Sequence, residues 1–306
     1  MDNSSLLAGE SVGRQLNDRI LILQILVAVF FCINVLLIVT FFQKECFYTV
    51  TRYILFAVAL LSDSLILTMS NIMFIMIYFR FSMPIGLCFI FCFVLSMYSS
   101  VTPVTLTAMT LERYVAICMP LRHAELCTAR SALHCVLIIL LLSLIPCSAV
   151  MFVFLSSVSL SFFTPVQNCA IDTFLIHTWQ DHVRSAIYQL YFFVMFTVLI
   201  FAYVRMIKVA KAASGENKKA TRKGLRTVVL HGFQLLLCLI RLWCPFIEFA
   251  VFQIDLALFI NVRTFNYIFF QVAPKCLSPL IYGLRDEKFF HSLKYDVLYG
   301  LFKRNH

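Results

Sequence analysis

The sequence predicts an all-α membrane protein, a seven-transmembrane helix bundle with a short amphipathic eighth helix. Three observations predict it. Of 306 residues, 61% are apolar and only 13% are charged, whereas a soluble domain carries about 25% charged residues. The apolar residues gather in seven windows, each near the roughly 20 residues that a helix needs to cross a bilayer. Basic residues are shared unequally between alternate connecting segments, as the positive-inside bias requires.

The windows run from Ile20 to Phe42, Tyr53 to Phe79, Leu87 to Thr110, Ala132 to Leu155, Ala186 to Val204, Thr227 to Phe252 and Asn266 to Leu284. Two are impure, with Asp63 in the second and Arg241 with Glu248 in the sixth. One set of connecting segments holds eighteen Lys and Arg residues, the other holds five, and Arg241 and Lys275 lie inside spans. The bias makes residues 1–19 an extracellular tail, 20–284 the seven-transmembrane domain and 285–306 a cytoplasmic segment of a multi-pass plasma-membrane protein. The first span alone is ambiguous, because two basic residues lie near each of its ends; the whole-chain count decides. The net charge of +10 is therefore a topology signal, and no nucleic-acid partner is expected. The cluster Lys208, Lys211, Lys218, Lys219, Arg222, Lys223 and Arg226 is suited to the anionic leaflet and to docking a soluble partner.

The first tail is polar and lacks the apolar core of a cleavable signal peptide, so the first span would serve as its own insertion signal. Asn3-Ser4-Ser5 is a glycosylation sequon on the predicted outer side, a pattern short enough to arise by chance. Of twelve cysteines, Cys88 and Cys169 are the two expected to face the oxidising side, where pairing is favoured. Two unrelated thiols are the alternative. At the carboxyl end, Phe290, Leu293, Val297 and Leu301 recur at helical spacing after Arg285-Asp286-Glu287-Lys288, the pattern of an amphipathic helix lying on the inner leaflet.

Chemistry enters at Glu112-Arg113-Tyr114, which closes the third span. A guanidinium there is tolerated only where it meets water or a partner. The local arrangement suits a Glu112–Arg113 pair whose loss would free the guanidinium. Asp63 and Lys275 lie about 15 and 14 Å from the same end, counted at roughly 1.5 Å per residue. At one level of the bundle they are suited to form a buried pair, each member of which would be costly alone. The alternative is Lys275 reaching water in the cavity without touching Asp63. Arg241 and Glu248, seven apart and roughly opposite Trp243, are expected to point away from the central cavity.

Together the seven spans, Cys88 with Cys169, Glu112-Arg113-Tyr114, Trp243-Cys244-Pro245 and Ser278-Pro279-Leu280-Ile281-Tyr282 resemble the rhodopsin-like (class A) G protein-coupled receptors. Within that class, M-x-x-E-R-Y-V-A-I-C-x-P-L-R-H from Met109 to His123, and Lys223-x-x-Arg226-Thr227-x-x-x-His231, are similar to odorant-receptor signatures. The second span lacks the usual Pro-Met-Tyr-Phe opening, the second outer loop has one Cys, and the sixth span keeps its Trp-x-Pro. These departures resemble a fish-type odorant receptor, with a non-olfactory receptor of the class as the competing reading.

The resemblance implies that a heterotrimeric G protein, of the stimulatory type that raises cyclic AMP, contacts Arg113 when the inner end of the sixth helix swings outward. It implies that Tyr203 and Tyr282 close on that site, and that Trp243 acts as a lever beside the kinks at Pro245 and Pro279. In the resembled class, the acid at Asp63 helps to hold a sodium ion; here the Lys275 ammonium would replace it. No palmitoyl anchor is expected, because the last helix has no Cys.

The outer half supplies the expected ligand pocket. The third helix offers Cys92, Leu95, Ser96, Ser99 and Ser100 on one continuous face. Tyr188, Tyr191 and Phe192 come from the fifth, Phe246 and Ile247 from the sixth, and Tyr267 and Gln271 from the seventh. This aromatic and hydroxylic lining is suited to a small, mostly neutral organic ligand of the odorant kind. Helix packing explains about half of these positions equally well. Beyond ligand, G protein and membrane lipid, no cofactor or metal is expected. A transporter or channel would call for internal repeats, and an enzyme for a nucleophile or metal motif, neither of which is evident.

Overall fold

The computed structural model describes residues 3–126, 128–169, 174, 177–212, 215–275 and 291–295. Long apolar helices dominate, and five of them are long and apolar enough to cross a membrane: Leu21–Gln43, Thr51–Tyr78, Ile85–Cys118, Arg130–Leu155 and His182–Val209. Leu, Ile, Phe and Val on their outer faces stay exposed while the inner faces are buried, the arrangement of a bundle solvated by lipid rather than water.

Helix α1 spans Asn3–Gln43, so the backbone of the expected outer tail continues the first span without a break. Helix α2 spans Thr51–Tyr78. It stops where Arg80 takes a positive φ of 52°, with Arg80 N–H donating to Ile77 O and Phe81 N–H to Met76 O, the pair of bonds that caps a helix around a left-handed residue. Strand β1, Ser82–Pro84, leads into helix α3, Ile85–Cys118. Short helix α4, Pro120–Leu126, precedes α5, Ala129–Leu155, which opens on a Thr128 cap accepting from Ser131 N–H.

Strand β2, Val166–Asn168, pairs antiparallel with β1, Met83 opposite Gln167. The Cys88–Cys169 disulfide, with Cα atoms 5.5 Å apart, fastens this two-stranded sheet to the start of α3. Helix α6 runs Thr178–Ala212 and α7 runs Gly215–Ile240. After a 3₁₀ turn at Arg241–Trp243, helix α8, Cys244–Phe252, starts with Pro245 in its first turn, where a missing N–H costs nothing.

The expected sixth span is therefore two helices around a tightened turn. The expected seventh span starts ten residues early, because Asp255 caps helix α9, Leu256–Asn266, by accepting from Leu258 N–H. Hydropathy missed this because Asn261, Arg263 and Asn266 dilute the first three turns. A π-helical segment, Tyr267–Val272, follows. Pro279, Tyr282 and nearly all of the expected eighth helix lie outside the described residues. Within 291–295 the chain is helical, and Lys44 Nζ lies 5.6 Å from the Tyr295 ring centre.

Among the described residues two large apolar clusters and a small third, around Leu67 and Val272, fill the interior. One, around Phe41, Phe56, Met109, Phe192, Met206 and Leu235, occupies the half that contains Arg113. The other, around Ile66, Cys92, Leu95, Phe154 and Phe174, lies beneath the disulfide. The bridge closes a loop of 81 residues, which removes about 4–5 kcal/mol of unfolded-chain entropy in the loop-closure model. Cys88→Ser and Cys169→Ser are each expected to lower the thermal-unfolding midpoint of the detergent-solubilised protein, and the double variant to fall no further than the worse single one.

Candidate functional site

At mid-depth three helices meet in a closed polar triangle. Asp63 of α2 is fully buried and Lys275 is 3% exposed, and their Oδ1 and Nζ atoms are 2.9 Å apart. Thr102 of α3 donates to Asp63 Oδ1 at 2.7 Å, and Lys275 Nζ donates to Thr102 Oγ1 at 2.8 Å. The hydroxyl gives one bond and takes one, so each charge meets both its counter-charge and a dipole. Asp63 Oδ2 has no hydrogen-bond partner. Thr102 was not singled out from the sequence, although it stands three residues beyond Ser99 on the hydroxyl-bearing face of α3.

Towards the disulfide, a cavity of about 90 Å³ opens among α2, α3, α5, α6 and the α7–α8 junction. Of the expected pocket residues, Cys92, Leu95, Ser96, Ser99 and Gln271 line it. Ile66, Val150, Met151, Phe154 and Phe174 supply apolar walls, and Arg184 and Arg241 also reach it. Phe154 and Phe174 pack edge to face with ring centres 5.3 Å apart. The π-helical turn sets the phase that brings Gln271 to the cavity; its Oε1 is buried without a partner.

Other expected pocket residues are elsewhere. Tyr191 donates to Leu142 O of α5, Phe192 is buried in the cluster of the Arg113 half, and Tyr267 lies against Phe74. Phe246 stacks on His182, while Ile247 is 47% exposed.

The largest corrections concern Arg241 and Trp243. Arg241 does not point away from the cavity: it lines it, with Nη1 3.5 Å from Ser99 Oγ. Trp243 is 51% exposed and touches the Phe246 ring, so it does not face the pocket as a lever. The buried face of α7 runs through Val228, His231, Gln234 and Leu235, and helical steps of three and four from these reach Cys238 and then Arg241. Tryptophan, two residues on, is carried to the opposite side. Glu248 does not pair with Arg241; it accepts from Asn266 Nδ2 at 2.9 Å.

At the other end of α3, Arg113 Nε is 3.5 Å from Glu112 Oε2, and His123 Nε2 is 3.5 Å from Glu112 Oε1. Tyr114 packs near Phe201, and Tyr203 lies against the cluster of that half. One turn up, buried Thr110 contacts His231 Nδ1 at 3.3 Å, and Gln234 donates to Pro274 O at 2.7 Å. These two contacts tie α7 to α3 and to the seventh helix. Among the described residues, the one group of metal-ligating side chains is Cys88, Cys92 and Cys169, and its disulfide leaves a single thiol.

The family model "7 transmembrane receptor (rhodopsin family)" matches residues 33–282. The chain belongs to the rhodopsin family of seven-transmembrane receptors. It is a receptor and not an enzyme. It is 40% identical to odorant receptor 131-2 of Danio rerio over 98% of its own length and 92% of the relative's. It is also 29% identical to galanin receptor 2a of Danio rerio, over 67% of its own length and 56% of that protein's. The ends of α3, the disulfide and the triangle thus sit within a known receptor frame, and Lys275 gives its centre an internal cation.

Removing one member of a buried pair strands the other charge and costs on the order of 3–5 kcal/mol. Asp63→Asn and Lys275→Met are each expected to lower stability by about that amount, and the double variant to lose clearly less than their sum. A double-mutant cycle on thermal unfolding of the purified receptor reads the coupling.

Proposed function

We propose that this receptor is chemosensory: it binds a small organic, odorant-like molecule in the cavity beneath the disulfide and activates a stimulatory heterotrimeric G protein at the Arg113 end, raising cyclic AMP. The observation that carries this reading is the separation of two sites along one helix. Ser99 at the cavity and Arg113 at the ionised end are 14 positions apart on α3, about 21 Å, with the Asp63–Thr102–Lys275 triangle between them. The odorant role is supported by similarity to odorant receptor 131-2 over nearly the whole chain.

In this reading the disulfide end and residues 1–19 face outward, 20–284 form the membrane domain, and 285–306 lie in the cytoplasm. The eighteen-to-five distribution of basic residues supports it. Asn3 is then the acceptor for glycosylation. The Glu112–Arg113 contact holds the resting state, and its release frees the guanidinium for the G protein, with Tyr114, Tyr203 and Tyr282 closing around it and Pro245 and Pro279 giving the helices their bends. The Lys275 ammonium takes the role of the cation beside Asp63, so that the central charge is neutralised from within the chain.

Expressed at a cell surface with a cyclic-AMP reporter, the receptor is expected to give a concentration-dependent rise with a member of a water-borne odorant panel. Arg113→Ala is expected to lose that response while surface display persists. An undiminished response in Arg113→Ala contradicts the assignment of Arg113.

A further inference from the structure

Two guanidinium groups, those of Arg184 and Arg241, line the cavity. Arg241 reaches it from the turn between α7 and α8, and among the described residues its one polar contact across the bundle is to Ser99 Oγ at 3.5 Å. Among the described residues, Arg241 forms no ion pair, and no carboxylate belongs to the cavity lining. Asp63 is engaged with Lys275 and Thr102, and Glu248 with Asn266.

A guanidinium in a membrane interior without a counter-ion is costly, and such residues in transmembrane helices mark a substrate or ion path. The cost is offset when an anion arrives, because the fork of N–H donors on Arg matches a carboxylate in two parallel bonds. A second, independent feature points to the same place. Gln271 is 7% exposed, lines the cavity from the π-helical turn, and keeps Oε1 buried without a partner. This acceptor gives the cavity a polar atom that needs a ligand or water. Ile66, Leu95 and Phe154 add apolar surface to the same lining.

We infer that the ligand class of this cavity is a small organic anion, a carboxylate on an apolar or aromatic body, with the carboxylate held by Arg241 and the body against Phe154 and Leu95. This replaces the mostly neutral ligand expected from the sequence, and it rests on the receptor reading above. Arg241 is thereby the residue that sets ligand charge. Ser99 is a positioning residue that orients its guanidinium.

The test is direct binding, which does not depend on signalling. Purified receptor in detergent, in low-chloride buffer, is titrated with hexanoate, benzoate and phenylpropionate, each compared with its methyl ester and primary alcohol, and the thermal-unfolding midpoint is followed. Wild type is expected to be stabilised saturably by at least one acid and roughly tenfold more weakly, or not at all, by the matching ester and alcohol. Arg241→Gln is expected to erase that preference, and Arg241→Lys to keep part of it, which separates charge from fold. Equal or better binding of the neutral partners, or no stabilisation by any acid, overturns the inference. Acid-selective binding without a cyclic-AMP response upholds it and instead refutes the proposed coupling.

Discussion

The arrangement of the bundle depends on the pair Asp63–Lys275. A carboxylate and an ammonium at mid-depth would each be costly alone, and their contact at 2.9 Å forces α2 and the seventh helix to approach at one level. Thr102 brings α3 into the same contact by bonding both. Such a group is directional in a way that apolar packing is not. Lipid chains are as apolar as the helix faces, so the hydrophobic effect gives little preference among ways of turning the helices. The charges specify one rotation of each.

That rotation propagates. With Lys275 directed at Asp63, the π-helical turn just before it brings Gln271 to the cavity, and Pro274 O receives Gln234 of α7. Gln234 fixes the face of α7 that looks inward, His231 holds it to Thr110, and the same face carries Arg241 to Ser99. The cavity's charge and the helix that leads to the ionised end of α3 are thus set by one line of polar contacts. A ligand that drew Arg241 towards itself would act on the same helix whose other end lies near Arg113. The disulfide and the β1–β2 pair take no part in that line.

The sequence disclosed most of this frame, because membrane helices leave strong periodic and compositional signals. Seven apolar windows, the pairing of Cys88 with Cys169, and the common depth of Asp63 and Lys275 could all be read from residue type and counting. What could not be read was helix phase near irregular turns. The 3₁₀ turn at Arg241–Trp243 and the π turn at Tyr267–Val272 each change the angle per residue, so a face extrapolated at 100° per residue is lost there. Arg241 does lie opposite Trp243, but taking the large ring of Trp243 as the inward one put Arg241 on the wrong side, whereas the buried row Val228, His231 and Leu235 puts it inside. Phe154 and Phe174 escaped notice because two phenylalanines out of 32 carry no positional signal. The start of α9 escaped because polar residues in its first turns masked a helix that Asp255 caps.

The most direct test of the central pair is a sodium titration of ligand-free receptor. The thermal-unfolding midpoint of wild type and of Lys275→Ser is followed as sodium replaces a large organic cation at constant ionic strength. If the Lys275 ammonium neutralises Asp63, wild type is indifferent to sodium, and the serine variant, with its carboxylate uncovered, gains stability as sodium rises. A wild-type midpoint that climbs saturably with sodium would mean that an ion competes for Asp63, and would contradict the internal cation as the anchor of the fold.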